Sequence, residues 1–275
     1  MSSVSKKQIY VITGAIAFLV VLYLAPTKTE KGKEVTVNAG RKESIRFEDH
    51  LDKAKKQIDG ESLSEINKLE LRLNASNLKD VLLDSLGRKW DVLNRPLIAA
   101  HYFEIIANNE PGEKNWLNAA YRYFDAFKMV RDSSVRADLI DKAISCYTKV
   151  IEINPKNLDA KTDLGVCYTE SPQPMKGIMM LREVIKEKPD HENAQFNLGL
   201  LSIKSRQFDK AVDRFEKVLQ INSKNIDAYL YLGEAYLQKG DKAKAIANFE
   251  KYKSMSKDAS TIKEVDLYLE KIKNN

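Results

Sequence analysis

Three histidines (His50, His101 and His191) and two cysteines (Cys146 and Cys167) are the side chains of this 275-residue chain best suited to acid–base, nucleophilic or metal chemistry. Their arrangement supports none of it. The histidines lack metal-ligand spacing. His101 lies on an apolar helical stretch, the setting of a satisfied core histidine, and His191 follows Pro189 in a turn where exposure is expected. Cys146 and Cys167 sit in apolar helical context and read as small buried thiols, not as a disulfide framework or a metal site. No phosphate loop, dinucleotide fingerprint, nucleophile elbow or paired-cysteine motif is present. The 39 acidic residues belong mostly to solvated helix faces, so their number alone implies no acid/base pair. The expectation is a protein that is not an enzyme, with no cofactor, no metal and no small-molecule substrate.

Against those 39 acids stand 45 lysines and arginines, a net charge of +6. The signs are interspersed, and no basic stripe of the kind a phosphate backbone needs is visible, which argues against nucleic acid. Hydrophobic content of 43% with 31% charged residues is that of a folded chain.

Ile9 to Ala25 runs for seventeen residues without a charge. As a helix it would cover about 25 Å, close to the roughly 30 Å hydrocarbon layer. Tyr10 and Tyr23 suit its interfaces, and Lys6, Lys7 and Lys28 could reach the headgroups. Bulky Tyr23 two positions before Ala25, with Pro26 directly after, disfavours cleavage as a secretory signal. A single uncleaved transmembrane anchor is therefore expected at 9–25, after a short polar start at 1–8. Residues 26–43 are polar and read as a flexible tether. Lysines after the span favour keeping the large domain inside, while a short positive start before an apolar run has the form of an export anchor. The expectation is a single-pass membrane protein whose large carboxy-terminal part lies outside the cytoplasm, the opposite side remaining open.

Beyond the tether the apolar spacing is helical. Phe47, Leu51, Ala54 and Ile58 recur at three- and four-residue steps, and Leu63, Ile66, Leu69 and Leu73 continue the pattern. Residues 44–123 thus read as paired helices without a clean period, holding degenerate repeats at most. Further on, a spacing of 34 residues links Gly165, Gly199 and Gly233. The same step links Gly177, Ala211 and Ala245, and also Leu181, Phe215 and Phe249. A fixed period of this length marks a repeat array in which each unit buries its apolar face against its neighbours.

These residues resemble the tetratricopeptide repeat family, whose unit is a pair of antiparallel helices with preferred residues at positions 4, 7, 8, 11, 20, 24, 27 and 32. From Glu192, Leu198, Gly199, Ala211, Phe215 and Val218 match, while Ser202 stands where tyrosine is preferred. From Ile226, Tyr229, Leu232, Gly233, Tyr236, Ala245 and Phe249 match. From Leu158, Leu164, Gly165, Tyr168, Leu181, Val184 and Pro189 match, with Gly177 in place of alanine. From Phe124 only Ala143, Tyr147, Val150 and Pro155 match. Arg131 occupies the small-residue position there, so the first helix must be longer or pack differently. The resemblance implies an all-α fold, a right-handed superhelix with units at 124–157, 158–191, 192–225 and 226–259. A capping helix over 260–275 follows, where Thr261 and Glu264 have capping-box spacing.

In the resembled family the first helix of each unit lines a concave groove. Carried across, this implies Asp159, Asp163 and Val166 in one unit, then Asn193, Phe196, Asn197, Leu200 and Ile203, then Asp227, Leu230, Tyr231, Glu234 and Leu237. The surface combines an apolar band with acidic groups. The clamp by which some members hold a chaperone's terminal carboxylate is not reproduced: Asn197 fits it, but Thr162, Val166, Asp227 and Tyr231 do not. An apolar or basic peptide, or a partner's helix, suits the face better. Packing of this face against helices from 44–110 is the alternative. The functional expectation is a membrane-tethered scaffold or adaptor, with a homo-oligomeric structural element or an accessory subunit of a membrane complex as alternatives.

Overall fold

A computed structural model describes residues 46–75, 77 and 79–274. The expected polar start (1–8), transmembrane anchor (9–25) and tether (26–43) lie outside the described residues. Among the described residues, no helix is long and apolar enough to cross a membrane. They form thirteen α-helices: α1 (Phe47–Lys55), α2 (Gly60–Ala75), α3 (Lys79–Val92), α4 (Pro96–Asn109), α5 (Glu113–Met129), α6 (Ser133–Ile153), α7 (Leu158–Thr169), α8 (Pro174–Glu187), α9 (Glu192–Lys204), α10 (Phe208–Ile221), α11 (Ile226–Gln238), α12 (Lys242–Met255) and α13 (Ala259–Asn274).

Local sequence sets where these helices begin and end. Asn157, His191 and Asn225, spaced by the repeat period, each accept a hydrogen bond from the backbone N–H of the residue three positions on: Ala160, Ala194 and Ala228. His191 does so through Nδ1 at 3.3 Å and is 7% exposed, which corrects the expectation of an exposed turn histidine. Its imidazole stands in for the asparagine amide of the flanking units. At the other end, α3, α9 and α11 close on residues with positive φ: Asn94 (55°), Arg206 (59°) and Gly240 (83°). In each case the next N–H bonds the carbonyl five residues back: Arg95 to Trp90, Gln207 to Ser202 and Asp241 to Tyr236.

Those shared ends show that α3 and α4 form a unit like the later ones. Gly87 and Phe103 are sixteen residues apart, as are Gly199 and Phe215, and Gly233 and Phe249. A Cβ on any of these three glycines would come within 2.7–2.8 Å of its partner's ring. The glycine lets the second helix lay a large side chain across the first, and such close approach is how the pair excludes water. In the next pair, α5 begins at Glu113 and α6 at Ser133, so the nominal start at residue 124 falls inside α5. The first helix is longer, as Arg131 required. Ala119 and Ala120, both fully buried, supply the small residues, and Arg131 falls in the connection.

From α2 to α13 consecutive helices pack on one another, and α1 packs on α4. Successive first helices also meet, α7 with α9 and α9 with α11, whereas α8, α10 and α12 have no comparable contact with one another. The layer therefore bends with its first helices on the inner side. Buried apolar residues form one large cluster from Ala54 to Tyr168. A small one holds Leu181, Val184, Ala194 and Leu198, and a third runs from Ala211 to Ile272. Helix α13 closes the array through buried Val265, Leu269 and Ile272, with Tyr268 stacked on Phe249. Its start is set by Asp258, which accepts from the Ser260 N–H. Thr261 lies inside the first turn and donates its hydroxyl to Asp258, so it is not the cap expected.

Candidate peptide-binding groove

Helices α7, α9 and α11 bring the expected groove residues onto one inner surface. Phe196, Leu200, Ile203, Leu230, Tyr231 and Leu237 are half-buried and rest on the third apolar cluster; Val166 rests on the small one. Phe196 is held between Phe215 (5.5 Å) and Tyr231 (5.7 Å), and Tyr231 stacks on Phe215 at 5.7 Å. The rings fix one another in place, and with Phe215 fully buried beneath them Phe196 and Tyr231 stay part-exposed, a pre-organised apolar strip. Asn193 is exposed, and Asn197 is turned back onto the helix, its Nδ2 donating to the Asn193 carbonyl at 2.8 Å. Substantial packing of α9 and α11 is confined to α7, α8, α10, α12 and each other. Helices of the 46–109 region do not cover the strip.

The acidic members differ in their surroundings. Asp159 is exposed and lies 3.2 Å from Nε2 of His191, whose Nδ1 is occupied by the helix cap, so Nε2 carries the proton and donates. Asp227 is exposed. Asp163 is half-buried, and burial, reinforced by the Asp159 charge, pushes its carboxyl up to about 6; the Tyr147 and Tyr121 hydroxyls and Lys128 oppose that shift. The buried Tyr147 hydroxyl faces this carboxyl without reaching standard hydrogen-bond geometry to any group. Glu234, half-buried on α11, is pushed upward by burial alone, and among the described residues no cation offsets it. A carboxylate losing water without gaining a partner is a site prepared for a cation or a hydrogen-bond donor.

At the end of this surface on α5, the repeat frame started one unit earlier supplies Lys128 but not Tyr121. Tyr121, next to Ala120, packs edge-on against Tyr147 at 5.8 Å and adjoins Asp163, and the Lys128 ammonium lies 4.4 Å from the Phe124 ring. The extra length of the α5/α6 pair had moved Tyr121 out of the repeat frame. The signal was present in Trp116, Ala119, Ala120 and Tyr123, all buried on one face of α5. The remaining chemistry is sparse. Both cysteines are free and buried, and burial pushes the Cys146 thiol up to about 12 and that of Cys167 upward as well. His101 stacks on Phe47 at 3.6 Å. Among the described residues, no group of three or more His, Cys, Asp or Glu side chains converges as a metal ion would require.

Residues 202–258 and 137–157 match tetratricopeptide repeat families. The chain carries tetratricopeptide repeats. Solved structures of similar fold include MamA (41-end) from Desulfovibrio magneticus RS-1, at 18% identity, covering 66% of this chain and 99% of that one with a TM-score of 0.51. A thermophilic TPR protein of Thermus thermophilus aligns at 16% identity over 69% of this chain and 98% of its own, with a TM-score of 0.50. YrrB, described as a TPR protein with an unusual peptide-binding site, aligns at 15% identity over 74% and 97%, with a TM-score of 0.46. At these identities the likeness to the first two is one of fold. No curated protein matches the chain. The all-helical repeat solenoid expected from the 34-residue period is thus the architecture found.

Proposed function

We propose that this protein is a membrane-tethered scaffold that holds a basic, apolar segment of another protein along the inner face of α7, α9 and α11. The observation that carries this reading is Glu234, half-buried and uncompensated, set beside the fixed apolar strip of Leu200, Leu230, Tyr231 and Leu237. Asp163 is a second half-buried carboxyl on this face, raised by burial and by Asp159 although Tyr147, Lys128 and Tyr121 partly offset it. A helix with leucine-like side chains on one face and a lysine or arginine beside them would cover the strip and neutralise both carboxylates. On this reading Ile9–Ala25 anchors the array, residues 26–43 hold it clear of the bilayer, and the repeats face the side away from the cytoplasm. The contents of the face favour a distinct partner over self-association.

The test is selection from a random peptide library on the detergent-solubilised full chain. Enrichment of lysine or arginine next to spaced apolar residues is expected, and Glu234→Lys should weaken the enriched peptides by about tenfold or more. Enrichment of acidic sequences at this face, or indifference to Glu234→Lys, would refute the proposal.

A further inference from the structure

We propose that the crevice between α8 and α10, on the side opposite the groove, is a second docking site whose occupant is an acidic peptide segment bearing apolar residues. Because second helices of adjacent pairs lack the close packing of the first helices, a gap remains there. It opens as two adjoining hollows of about 420 and 370 Å³ that share Lys210 and Arg214. The larger is floored by Ile178, Leu198 and Leu201 and walled by Arg182; the smaller reaches Lys217.

Arg214 is held in position. Its Nη1 donates to Oε1 of Gln195 at 2.7 Å, and Gln195, only 4% exposed, donates its Nε2 to the Pro189 carbonyl at 2.7 Å. Among the described residues, no carboxylate forms an ion pair with Arg182, Lys210, Arg214 or Lys217. The nearby Asp213 acts on Arg214 only at longer range. Burial and the like charge of Arg182 both disfavour the Arg214 cation. Two guanidiniums kept beside each other with no ion-paired carboxylate, Asp213 on the rim of the smaller hollow being the one acid that lines it, are a cost that a carboxylate entering the crevice reduces.

Stacking of the repeats does not require this pair. One period on, the positions of Arg182 and Arg214 are held by Glu216 and Asn248, and one period back by Thr148 and Met180. The recessed apolar floor separates the site from one for a phosphate polymer or a bilayer, each of which demands a broad positive field. A short peptide that puts a leucine on Ile178 and Leu201 and a glutamate on either side satisfies floor and rim together.

The probe is a fluorescein-labelled synthetic peptide alternating glutamate with leucine, titrated by anisotropy against the detergent-solubilised full chain. Saturable binding is expected, with losses of about tenfold for Arg182→Glu and for Lys217→Glu, two side chains that make no described contact the fold depends on. Glu234→Lys, in the groove, should leave it unchanged, and both crevice variants should keep the groove's affinity for basic peptides. Absence of binding, or binding indifferent to both reversals, overturns the site. Full competition by inorganic phosphate reduces it to a simple anion site. Capture of anionic-lipid vesicles that is lost in Arg182→Glu assigns it to a membrane instead. Either of these last results also overturns the proposal.

Discussion

Replacing Gly177 with alanine should destabilise the array, although alanine is the commoner residue at its repeat position. The reason lies in the α7/α8 crossing, where two glycines meet instead of a glycine and an alanine. A Cβ on Gly177 would stand 2.3 Å from the carbonyl oxygen of Gly165 and 2.7 Å from the backbone nitrogen of Thr169. Neither atom can swing aside without moving α7. Alanine gains up to about 1 kcal/mol of helix propensity over glycine. Overpacking of a tight core costs about 1–3 kcal/mol, and a backbone obstacle places this case in the upper half of that range. The net loss is therefore about 1–2 kcal/mol, or roughly 2–8 °C in melting temperature for an array of this size. Gly165→Ala is the internal control. Its Cβ would lie 3.2 Å from the Gly177 carbonyl and the Leu181 side chain, which can yield, so a change within about 1 kcal/mol is expected. Thermal denaturation followed by circular dichroism measures both. An alanine at 177 that melts at or above the parent temperature, or costs less than alanine at 165, would show that this crossing is not set by backbone contact.

Two further outcomes test single groups. The Asp163 carboxyl is raised to about 6 in the folded chain, above the roughly 3.9 of an unfolded aspartate, so its folded form holds the proton more tightly. Its contribution to stability is present below the unfolded value and lost as pH rises to about 6, so Asp163→Asn should melt above the parent beyond that pH and match it near pH ~4. A difference that stays constant across this range would refute the assignment. At His191, alanine should cost about 1 kcal/mol through loss of the helix cap, and asparagine clearly less, since Asn157 and Asn225 make the same bond. Equal destabilisation by both, in urea titrations, would mean that the imidazole acts through packing and not through the cap.

The later repeats were legible because each position that decides the crossing recurs in phase. Leu181, Phe215 and Phe249 can be found by counting, and the half-buried band from Phe196 to Leu237 follows from them. The α3/α4 unit escaped detection for a simple reason. Gly87 and Gly165 are 78 residues apart, ten more than two periods, because the intervening α5/α6 pair is elongated. Phase is lost across that pair even though Gly87 and Phe103 keep their own spacing. The same slip hid Tyr121 and Phe124. His191 was misjudged because turn position suggests solvent. Only its alignment with Asn157 and Asn225 reveals a ring drawn inward to cap a helix. Arg182 and Arg214 face each other across two helices, a relation no linear spacing displays.

The division of the buried apolar residues into three clusters bears on how the molecule comes apart. From Ala211 to Ile272 the last hairpins and their lid depend on their own contacts and on Phe196, Leu200 and Ile203 beneath them, and hardly on Trp90 or Tyr147. The carboxy-terminal end can fray and re-form while the amino-terminal end stays shut. Glu234 and Leu237 ride on that separately held end, so on the proposed function a guest laid across α11 would act as a splint for it.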